Sequence, residues 1–180
     1  MSALWPVFGT LAIGAAIAGL VTRSPKTPPM QEIKDPETGL TCRITPPERE
    51  DKVRLSDEEW KARLTDEQYR ILRNHGTEAA FCGPNLEHKG EGHYECVGCA
   101  LPLFSAAEKF ESGTGWPSYT EPYDEENLWY RLDTSYGMRR VEVLCARCDG
   151  HLGHVFPDGP PPSRLRYCIN GTVLKFVAKK

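Results

Sequence analysis

Cysteines offer the clearest chemistry in this sequence of 180 residues, which contains seven of them. Four form two C-x-x-C pairs, Cys96 with Cys99 and Cys145 with Cys148. Each pair places two thiolates at one tight turn, so the two pairs together supply four ligands to a tetrahedral zinc ion. Four thiolates close the coordination shell of zinc. We therefore predict one structural Zn²⁺ that takes no direct part in a reaction.

Paired cysteines also have two other common uses. A thioredoxin-like redox motif needs one C-x-x-C pair at the start of a helix in a βαβ unit, and neither pair is so placed. Two disulfides would be expected if the protein were exported to an oxidising compartment. We rank zinc ahead of both alternatives because two pairs with ligand spacing form a specific pattern.

Cys168 is the candidate nucleophile. The run 165–170 alternates polar and apolar side chains, which predicts a strand with Arg166, Cys168 and Asn170 on the face away from the core. The positive charge of Arg166 would favour the reactive thiolate, and Asn170 could donate a hydrogen bond to it. A half-buried structural cysteine is the alternative interpretation.

Two further motifs could serve a reaction at Cys168. His151 and His154 lie three residues apart, and imidazole is the side chain suited to proton transfer near neutral pH. A structural histidine or a second metal site is the alternative for this pair. Trp116 lies in the glycine-rich loop 112–118 and is a candidate substrate contact, although a single tryptophan more often belongs to the core.

The elements that must position these residues are mainly β. Ser56 and Thr65 each begin a capping box, which predicts short helices near 57–62 and 66–74, the second ending at Gly76. After Gly76, short apolar or alternating runs separated by Gly, Pro and Asp predict strands. Asn170-Gly171 is a tight-turn pair, so we expect the last two strands to form a hairpin.

The N-terminal segment predicts a membrane location. Ala3–Val21 contains 19 residues without a charge, which is long enough for a membrane anchor. Ala16–Ala18 has the small-x-small form of a signal cleavage site, so export is the alternative. Arg23 and Lys26 follow the segment and slightly favour a cytoplasmic location for the rest of the chain.

Composition divides the remainder of the chain. Six prolines among charged residues predict a flexible linker over 22–54, which contains Cys42, between the anchor or signal (1–21) and a domain at 55–180. The 22 basic and 25 acidic residues give a net charge of −3, which excludes the basic surplus that nucleic-acid binding requires. We expect a monomer that binds no nucleic acid and contacts the membrane through its N-terminal segment.

Taken together, the motifs resemble the B-type methionine-R-sulfoxide reductases. The matching segments are the two C-x-x-C pairs, SGTGWPSY (112–119), GMRRVEVLCARC (137–148), HLGHVFPDGPPP (151–162) and RYCING (166–171). The resemblance extends over about residues 55–180. It implies a mainly β fold with two antiparallel sheets, zinc held by four cysteines, and reduction of the R epimer of methionine sulfoxide in proteins.

The resemblance also implies a role for each candidate residue. Cys168 would attack the sulfoxide and become a sulfenic acid. His151 and His154 would protonate or orient the sulfoxide oxygen, and Trp116 would hold the methyl group of the substrate. Asn170 and Arg166 would tune and position the thiolate.

The second thiol of the reaction is less directly implied. Many family members carry a resolving cysteine in the Gly-x-Gly-Trp-Pro loop, where this chain has Thr114. Some relatives instead carry one in an earlier loop, and Cys82 matches that position. Cys82 is thus the predicted resolving cysteine, with thioredoxin or a similar dithiol as reductant; Cys42 or an external thiol is the alternative.

Two other functions remain open from sequence alone. A zinc-stapled β module without catalytic activity could bind a protein or small ligand in a groove containing Trp116. A reductase of free methionine-R-sulfoxide would share most of the motifs. The first alternative gives no reason for Arg166, Cys168 and Asn170 to share one strand face.

Overall fold

The computed structural model of the protein describes Met1 and residues 32–179. Its two α-helices are α1 (Asp57–Arg63) and α2 (Asp66–Leu72). The strands in the described residues are β1 (Glu32–Lys34), β2 (Thr41–Arg43), β3 (Gly92–Cys96), β4 (Pro102–Ser105), β5 (Lys109–Phe110), β6 (Ser118–Tyr119), β7 (Leu128–Asp133), β8 (Arg140–Cys145), β9 (His151–Phe156), β10 (Arg166–Ile169) and β11 (Leu174–Ala178).

The strands form two sheets. The larger sheet has the order β1-β2-β7-β8-β9-β10-β6-β5, and the smaller one has the order β11-β3-β4. Every pair is antiparallel except β2 with β7, which run parallel. The predicted mainly β fold with two antiparallel sheets and short helices before them is confirmed.

Aromatic side chains form the contact between the two sheets. Phe104 of the smaller sheet stacks on Tyr119 of the larger one, with ring centroids 4.4 Å apart. Phe104 also lies 5.8 Å from Tyr167 of β10, and Tyr94 lies 5.4 Å from Tyr119. Since these four rings are almost completely buried, they hold β6 and β10 firmly from the side of the core.

The two helices begin as the sequence predicts. Ser56 and Thr65 each accept a hydrogen bond from the third residue of the helix that follows, and the reciprocal bonds of both capping boxes are present. The second helix ends at Leu72 rather than near residue 74. Leu72 is fully buried between the two C-x-x-C turns, where a Cβ atom on Gly98 or Gly150 would lie within 2.7 Å of its methyl groups.

Residues 32–54 lie against the domain instead of forming the flexible linker that we expected. We call residues 32–43 the N-terminal strap: β1 pairs with β2, and β2 adds to the edge of β7. Cys42 is only 3% exposed, opposite Tyr130. Asp35 is 1% exposed and forms an ion pair with Arg139. Burial of these two side chains explains why this segment is ordered and not flexible. Proline content describes the local conformation of a chain, but it does not show whether the chain contacts a sheet edge.

The predicted hairpin at the C-terminus is wrong. β10 pairs with β6 and β9, whereas β11 pairs with β3 in the other sheet. Asn170 has a φ of −65°, and a 3₁₀ turn at Gly171–Val173 carries the chain from one sheet to the other. A type I′ turn needs positive φ at both central residues, and the Asn170 side chain is held elsewhere, as described below.

The predicted membrane localisation requires a correction. No helix within the described residues, 32–179, is long and apolar enough to span a membrane. Ala3–Val21, on which the prediction of an anchor or signal depended, lies outside the described residues.

Candidate active site and metal centre

The four paired cysteines come together as one cluster. Their sulfur atoms all lie within 4.8 Å of one another. The Sγ atoms are 3.7 Å apart for Cys96 and Cys148, and 3.5 Å apart for Cys99 and Cys145. A disulfide requires about 2.05 Å, whereas sulfur ligands at about 2.3 Å from a tetrahedral zinc ion lie about 3.8 Å apart. The cluster thus fits a structural zinc ion and not two disulfides.

Cationic side chains surround the cluster and anchor its two turns. Arg63 donates to the carbonyl of Gly98, and Arg73 donates to the carbonyl of Cys148. Arg147 donates to the Cys99 carbonyl, and Lys52 donates to the carbonyl of Ala146. Four thiolates around a divalent cation carry a net charge of −2, so nearby positive groups stabilise the occupied centre.

Cys168 lies in a separate, small cavity. It occupies β10, with His154 of β9 and Ser118 of β6 as its neighbours across the strands. The cavity has a volume of about 190 Å³ and contains three other predicted site residues besides Cys168: Trp116, His154 and Asn170. Thr77, Arg140, Gly153 and Phe156 complete its lining. The structure therefore brings the predicted nucleophile, one histidine and the tryptophan to a single cavity.

An irregularity in β9 explains how two histidines three residues apart can share a face. The register between β8 and β9 shifts so that Val143 opposes Gly153 while Leu144 opposes His151. The extra residue, Leu152, places His151 on the same side as His154, with ring centroids 5.5 Å apart. A Cβ atom on Gly153 would lie 2.1 Å from the Cys168 carbonyl oxygen, so glycine allows β9 to approach β10 closely.

Burial raises the pKa of the Cys168 thiol, and the nearby Arg166 charge and the Thr114 hydroxyl oppose this rise. The pKa remains above the ordinary value of 9.0, so Cys168 is a thiol at neutral pH. Arg166 favours the thiolate as expected, but burial outweighs it. Asp158 holds the guanidinium of Arg166 by two bonds of 2.8 Å.

His154 has a defined hydrogen-bond partner. Its Nε2 lies 2.8 Å from a carboxylate oxygen of Asp133, which also accepts from Arg140. Although burial raises the pKa of Asp133, hydrogen bonds from Ser135, His154 and Arg140 bring it well below its usual range. Burial lowers the pKa of His154, and the bond to Asp133 only partly offsets this. His154 is therefore neutral at pH 7, with Nε2 protonated and Nδ1 as the proton acceptor.

His151 lies behind this cavity and does not line it. The side chain is 2% exposed, and its Nδ1 lies 2.7 Å from Glu142 Oε1. The same oxygen is 2.8 Å from Nδ1 of His75, and Arg131 donates to the other oxygen of Glu142. The Nε2 of His151 is buried and has no hydrogen-bond partner among residues 32–179.

Asn170 and Trp116 share one neighbour, Glu78. Asn170 does not donate to Cys168: its Oδ1 accepts from the Glu78 N–H, and its Nδ2 donates to the Leu152 carbonyl. Trp116 Nε1 donates to the Glu78 carbonyl at 3.2 Å. The Glu78 carboxylate in turn accepts from the backbone N–H groups of Gly171 and Thr172. Glu78 therefore joins the three segments around the cavity, and the indole plane of Trp116 remains available to a ligand.

The candidate resolving cysteines lie at different depths. Cys82 is exposed, and its loop is joined to the Trp116 loop by a bond from Phe81 N–H to the Gly115 carbonyl. It is not among the residues that line the cavity. Cys42 is buried in β2, where burial and Asp35 raise its pKa. The Thr114 hydroxyl lies close enough to the Cys168 thiol to lower its pKa.

Four acidic residues of the site were missed by sequence reasoning: Glu78, Asp133, Glu142 and Asp158. Glu142 had a detectable signal, because a carboxylate within the apolar run of β8 must find partners. Asp158 stands eight residues before Arg166, in the connection between β9 and β10. For Glu78 no local pattern exists, since its partners lie 38 to 94 residues away, and His154 lies 21 residues from Asp133.

A half-buried cysteine beside a histidine and a tryptophan in a small cavity indicates a thiol-dependent enzyme, and comparison with known proteins specifies which kind. A family model described as the SelR domain matches residues 64–178. Among curated proteins, "Peptide methionine sulfoxide reductase MsrB" of Thiobacillus denitrificans is 55% identical over 124 residues, 69% of this chain and 94% of the relative. The protein of the same name from Caulobacter vibrioides is 55% identical over 134 residues, 74% of this chain and 81% of the relative. The one from Leptospira interrogans is 53% identical over 125 residues, 69% of this chain and 95% of the relative.

The chain therefore belongs to the SelR family, the methionine sulfoxide reductases of the MsrB type. It is an oxidoreductase, as the motifs of its sequence predicted.

Proposed function

We propose that this protein reduces the R epimer of methionine sulfoxide within other proteins, with Cys168 as nucleophile. The observation that carries the proposal is the single cavity of about 190 Å³ that contains Cys168, His154, Trp116 and Asn170. The names of the relatives support a peptide substrate. The preference for the R epimer follows from the resemblance of the motifs to the B-type reductases.

The proposed step transfers oxygen from the substrate to Cys168. The Cys168 sulfur attacks the electrophilic sulfur of the sulfoxide and forms a transient sulfur–sulfur bond. The oxygen then passes to the Cys168 sulfur, the sulfur–oxygen bond of the substrate and the transient sulfur–sulfur bond break, and Cys168 ends as a sulfenic acid. The substrate sulfur is reduced to the thioether of methionine, and the cysteine sulfur is oxidised by the same two electrons. The thiol proton of Cys168 ends on the sulfenic acid oxygen, so atoms and charge balance without another reactant.

His154 is suited to carry that proton. At rest, Cys168 is a thiol and His154 is neutral, with Nδ1 able to accept. We infer that His154 takes the thiol proton as the sulfur attacks and passes it to the oxygen that leaves the substrate. Asp133 stabilises the transient imidazolium, since its carboxylate lies 2.8 Å from Nε2.

Trp116 and Arg166 would act on the substrate and the nucleophile, respectively. The indole of Trp116 is fixed through Nε1 and offers its face to the methyl group of methionine sulfoxide. Arg166, held by Asp158, places positive charge near the sulfur that attacks. Asn170 would position Trp116 by fixing Glu78, and not by a direct bond to the Cys168 thiol.

We propose that Cys82 resolves the sulfenic acid and that thioredoxin or a similar dithiol reduces the resulting disulfide. Attack of the Cys82 thiol on Cys168 releases water and forms one disulfide, which a dithiol donor then reduces. Cys82 is exposed, as a cysteine that meets an external reductant must be. Its loop is joined to the loop of Trp116, which lines the cavity, by the bond from the Phe81 N–H to the Gly115 carbonyl.

One structural Zn²⁺ held by Cys96, Cys99, Cys145 and Cys148 completes the proposal. Zinc would clip two distant turns together, and with four thiolates its coordination is closed to substrate. Its contribution is to folding, while the reaction takes place on Cys168.

The full-length protein with bound zinc provides the test. It is supplied with dithiothreitol and offered the separate R and S epimers of a peptide methionine sulfoxide, and the free amino acid in a parallel assay. We expect reduction of the R peptide epimer and loss of activity in Cys168→Ser. Reduction of neither epimer by folded protein would exclude the enzyme, and preference for the free amino acid would exclude the peptide substrate.

Matched variants test the resolving step. Cys82→Ser should lose turnover with thioredoxin but keep it with dithiothreitol. Thr114→Cys in the Cys82→Ser background should restore turnover with thioredoxin, because the side chain at residue 114 lies close enough to the Cys168 thiol to lower its pKa. Full thioredoxin-dependent activity in Cys82→Ser would reject Cys82 and leave Cys42 or an external thiol.

A further inference from the structure

A buried cluster behind the cavity has no role in the steps described so far. Glu142 is 3% exposed and accepts hydrogen bonds from three side chains: His151, His75 and Arg131. Although burial raises the pKa of Glu142, these bonds bring it well below its usual range, so the carboxylate is ionised. Three polar side chains are thus concentrated around one buried charge.

The contacts fix the orientation of His151. A carboxylate only accepts hydrogen bonds, so His151 Nδ1, at 2.7 Å from Glu142 Oε1, must carry a proton. The Nε2 atom is then directed away from Glu142, because the two nitrogens lie on opposite sides of the ring. Burying a polar atom without a partner costs about 1–3 kcal/mol, and Nε2 has no partner among residues 32–179.

The neighbours of His151 indicate what such a partner would be. Its ring lies edge-on to His154, with centroids 5.5 Å apart, and His154 lines the Cys168 cavity. A ring nitrogen that is buried and unpaired, in a side chain that packs against a cavity-lining residue, is suited to bind the oxygen of a ligand, directly or through one water molecule.

We propose that Glu142 is a positioning residue for the reductase step: it holds His151 with Nδ1 as donor, so that Nε2 is presented to the sulfoxide oxygen. Arg131 and His75 keep the Glu142 carboxylate in place. This inference rests on the proposed function and adds a residue to it. Glu142 itself does not touch the substrate.

A metal ion is the other use for this cluster, since His75, Glu142 and His151 place ligand atoms within 4.8 Å of one another. The Arg131 guanidinium argues against it. Its Nε donates to Glu142 at 2.8 Å, and its Nη2 lies 3.4 Å from the Nδ1 of His75. A second positive charge at that point would be repelled, so we assign the cluster to hydrogen bonding.

The first experiment measures the protonation of His151 without any activity assay. In ¹⁵N-labelled, zinc-loaded full-length protein, the imidazole nitrogens of His151 are assigned through the backbone by NMR. We expect a protonated Nδ1 whose proton exchanges slowly with solvent, and loss of that slow exchange in Glu142→Leu. An unprotonated Nδ1 in the wild-type protein would overturn the proposal.

The second experiment measures the first turnover of the R-sulfoxide peptide. Glu142→Leu removes the acceptor and should lower the rate of methionine formation about tenfold to hundredfold with little change in KM. Glu142→Gln keeps one acceptor oxygen and should retain more of the rate. A folded, zinc-loaded Glu142→Leu variant with the wild-type rate would overturn the proposal.

Asp35→Asn provides the matched control. Asp35 is also a buried carboxylate paired with an arginine, but it belongs to the N-terminal strap. The Asp35→Asn substitution should lower the free energy of unfolding without changing the first-turnover rate. If Asp35→Asn and Glu142→Leu lowered that rate equally, Glu142 would have a role in stability only. The NMR experiment reports the protonation of His151 even if the wild-type protein reduces no sulfoxide. A negative result for the role of Glu142 can therefore be distinguished from a negative result for the proposed function.

Discussion

The four-cysteine cluster and the Cys168 cavity place the same side chain in two contrasting environments. In the cluster, four sulfurs lie within 4.8 Å of one another, and arginine and lysine side chains hold the surrounding carbonyls. In the cavity, a single sulfur meets one guanidinium, one hydroxyl and one imidazole, with about 190 Å³ left for a ligand. A cysteine that serves as a metal ligand thus has other sulfurs around it, whereas a cysteine that serves as a nucleophile has free space for a ligand beside its sulfur.

The largest effect should follow from breaking the cluster. Cys145→Ser removes one of four ligands, and structural zinc in zinc-finger peptides contributes on the order of 10 kcal/mol to folding. We expect loss of zinc and of the cooperative unfolding transition, measured by elemental analysis and thermal denaturation. Cys168→Ser should keep both. A Cys145→Ser protein that unfolds like the wild type would contradict a structural centre.

Gly153→Ala should damage the cavity without touching the cluster. The new Cβ would lie 2.1 Å from the Cys168 carbonyl, so β9 and β10 must separate. We expect a loss of about 2 kcal/mol in the free energy of unfolding and at least tenfold in activity, with zinc retained. Gly137→Ala provides the control for urea titration and peptide assays, because it introduces backbone strain at a φ of +70° but no close contact, since no atom lies within 4 Å. Equal effects of the two substitutions would argue against the close strand contact.

A smaller effect concerns the titration of the free sulfur. Because burial raises the pKa of Cys168, its alkylation by iodoacetamide should increase with a midpoint above pH 9.0. Arg166→Met should move this midpoint further upward, since Arg166 favours the thiolate. Mass spectrometry in the Cys82→Ser background gives the rate at Cys168, while zinc protects its four ligands. A midpoint below 9.0 would show that Arg166 outweighs burial.

The smallest effect is expected at Cys42, the buried cysteine outside both regions. Cys42→Ala removes a packed sulfur from β2 and should cost about 1 kcal/mol of stability, with activity unchanged for either reductant. Urea unfolding and the peptide assay measure the two quantities. If thioredoxin-dependent turnover disappeared, Cys42 and not Cys82 would be the resolving cysteine.

Much of this comparison could be predicted from sequence because its signals are local. The C-x-x-C spacing, the alternation around Cys168 and the two capping boxes each involve neighbours within a few residues. The predicted zinc ligands meet in one cluster, and Cys168 faces a cavity as its strand period suggested. Short-range geometry was sufficient for these features.

The rest depends on contacts between distant segments. Asn170-Gly171 has the composition of a hairpin turn, yet the Asn170 side chain is bound to Glu78 and Leu152, and the chain crosses to the other sheet. His151 and His154 share a face only because β9 contains an extra residue. The sequence pattern shows neither of these long-range constraints.

The N-terminal strap has a practical consequence for the shortest stable form of the protein. A fragment that begins at residue 55 would lack β2 and leave the outer edge of β7 without a partner. Open edges with unpaired backbone groups recruit strands from other molecules, so such a fragment should aggregate although every residue of its active site is present. A fragment that begins at residue 32 keeps that edge covered.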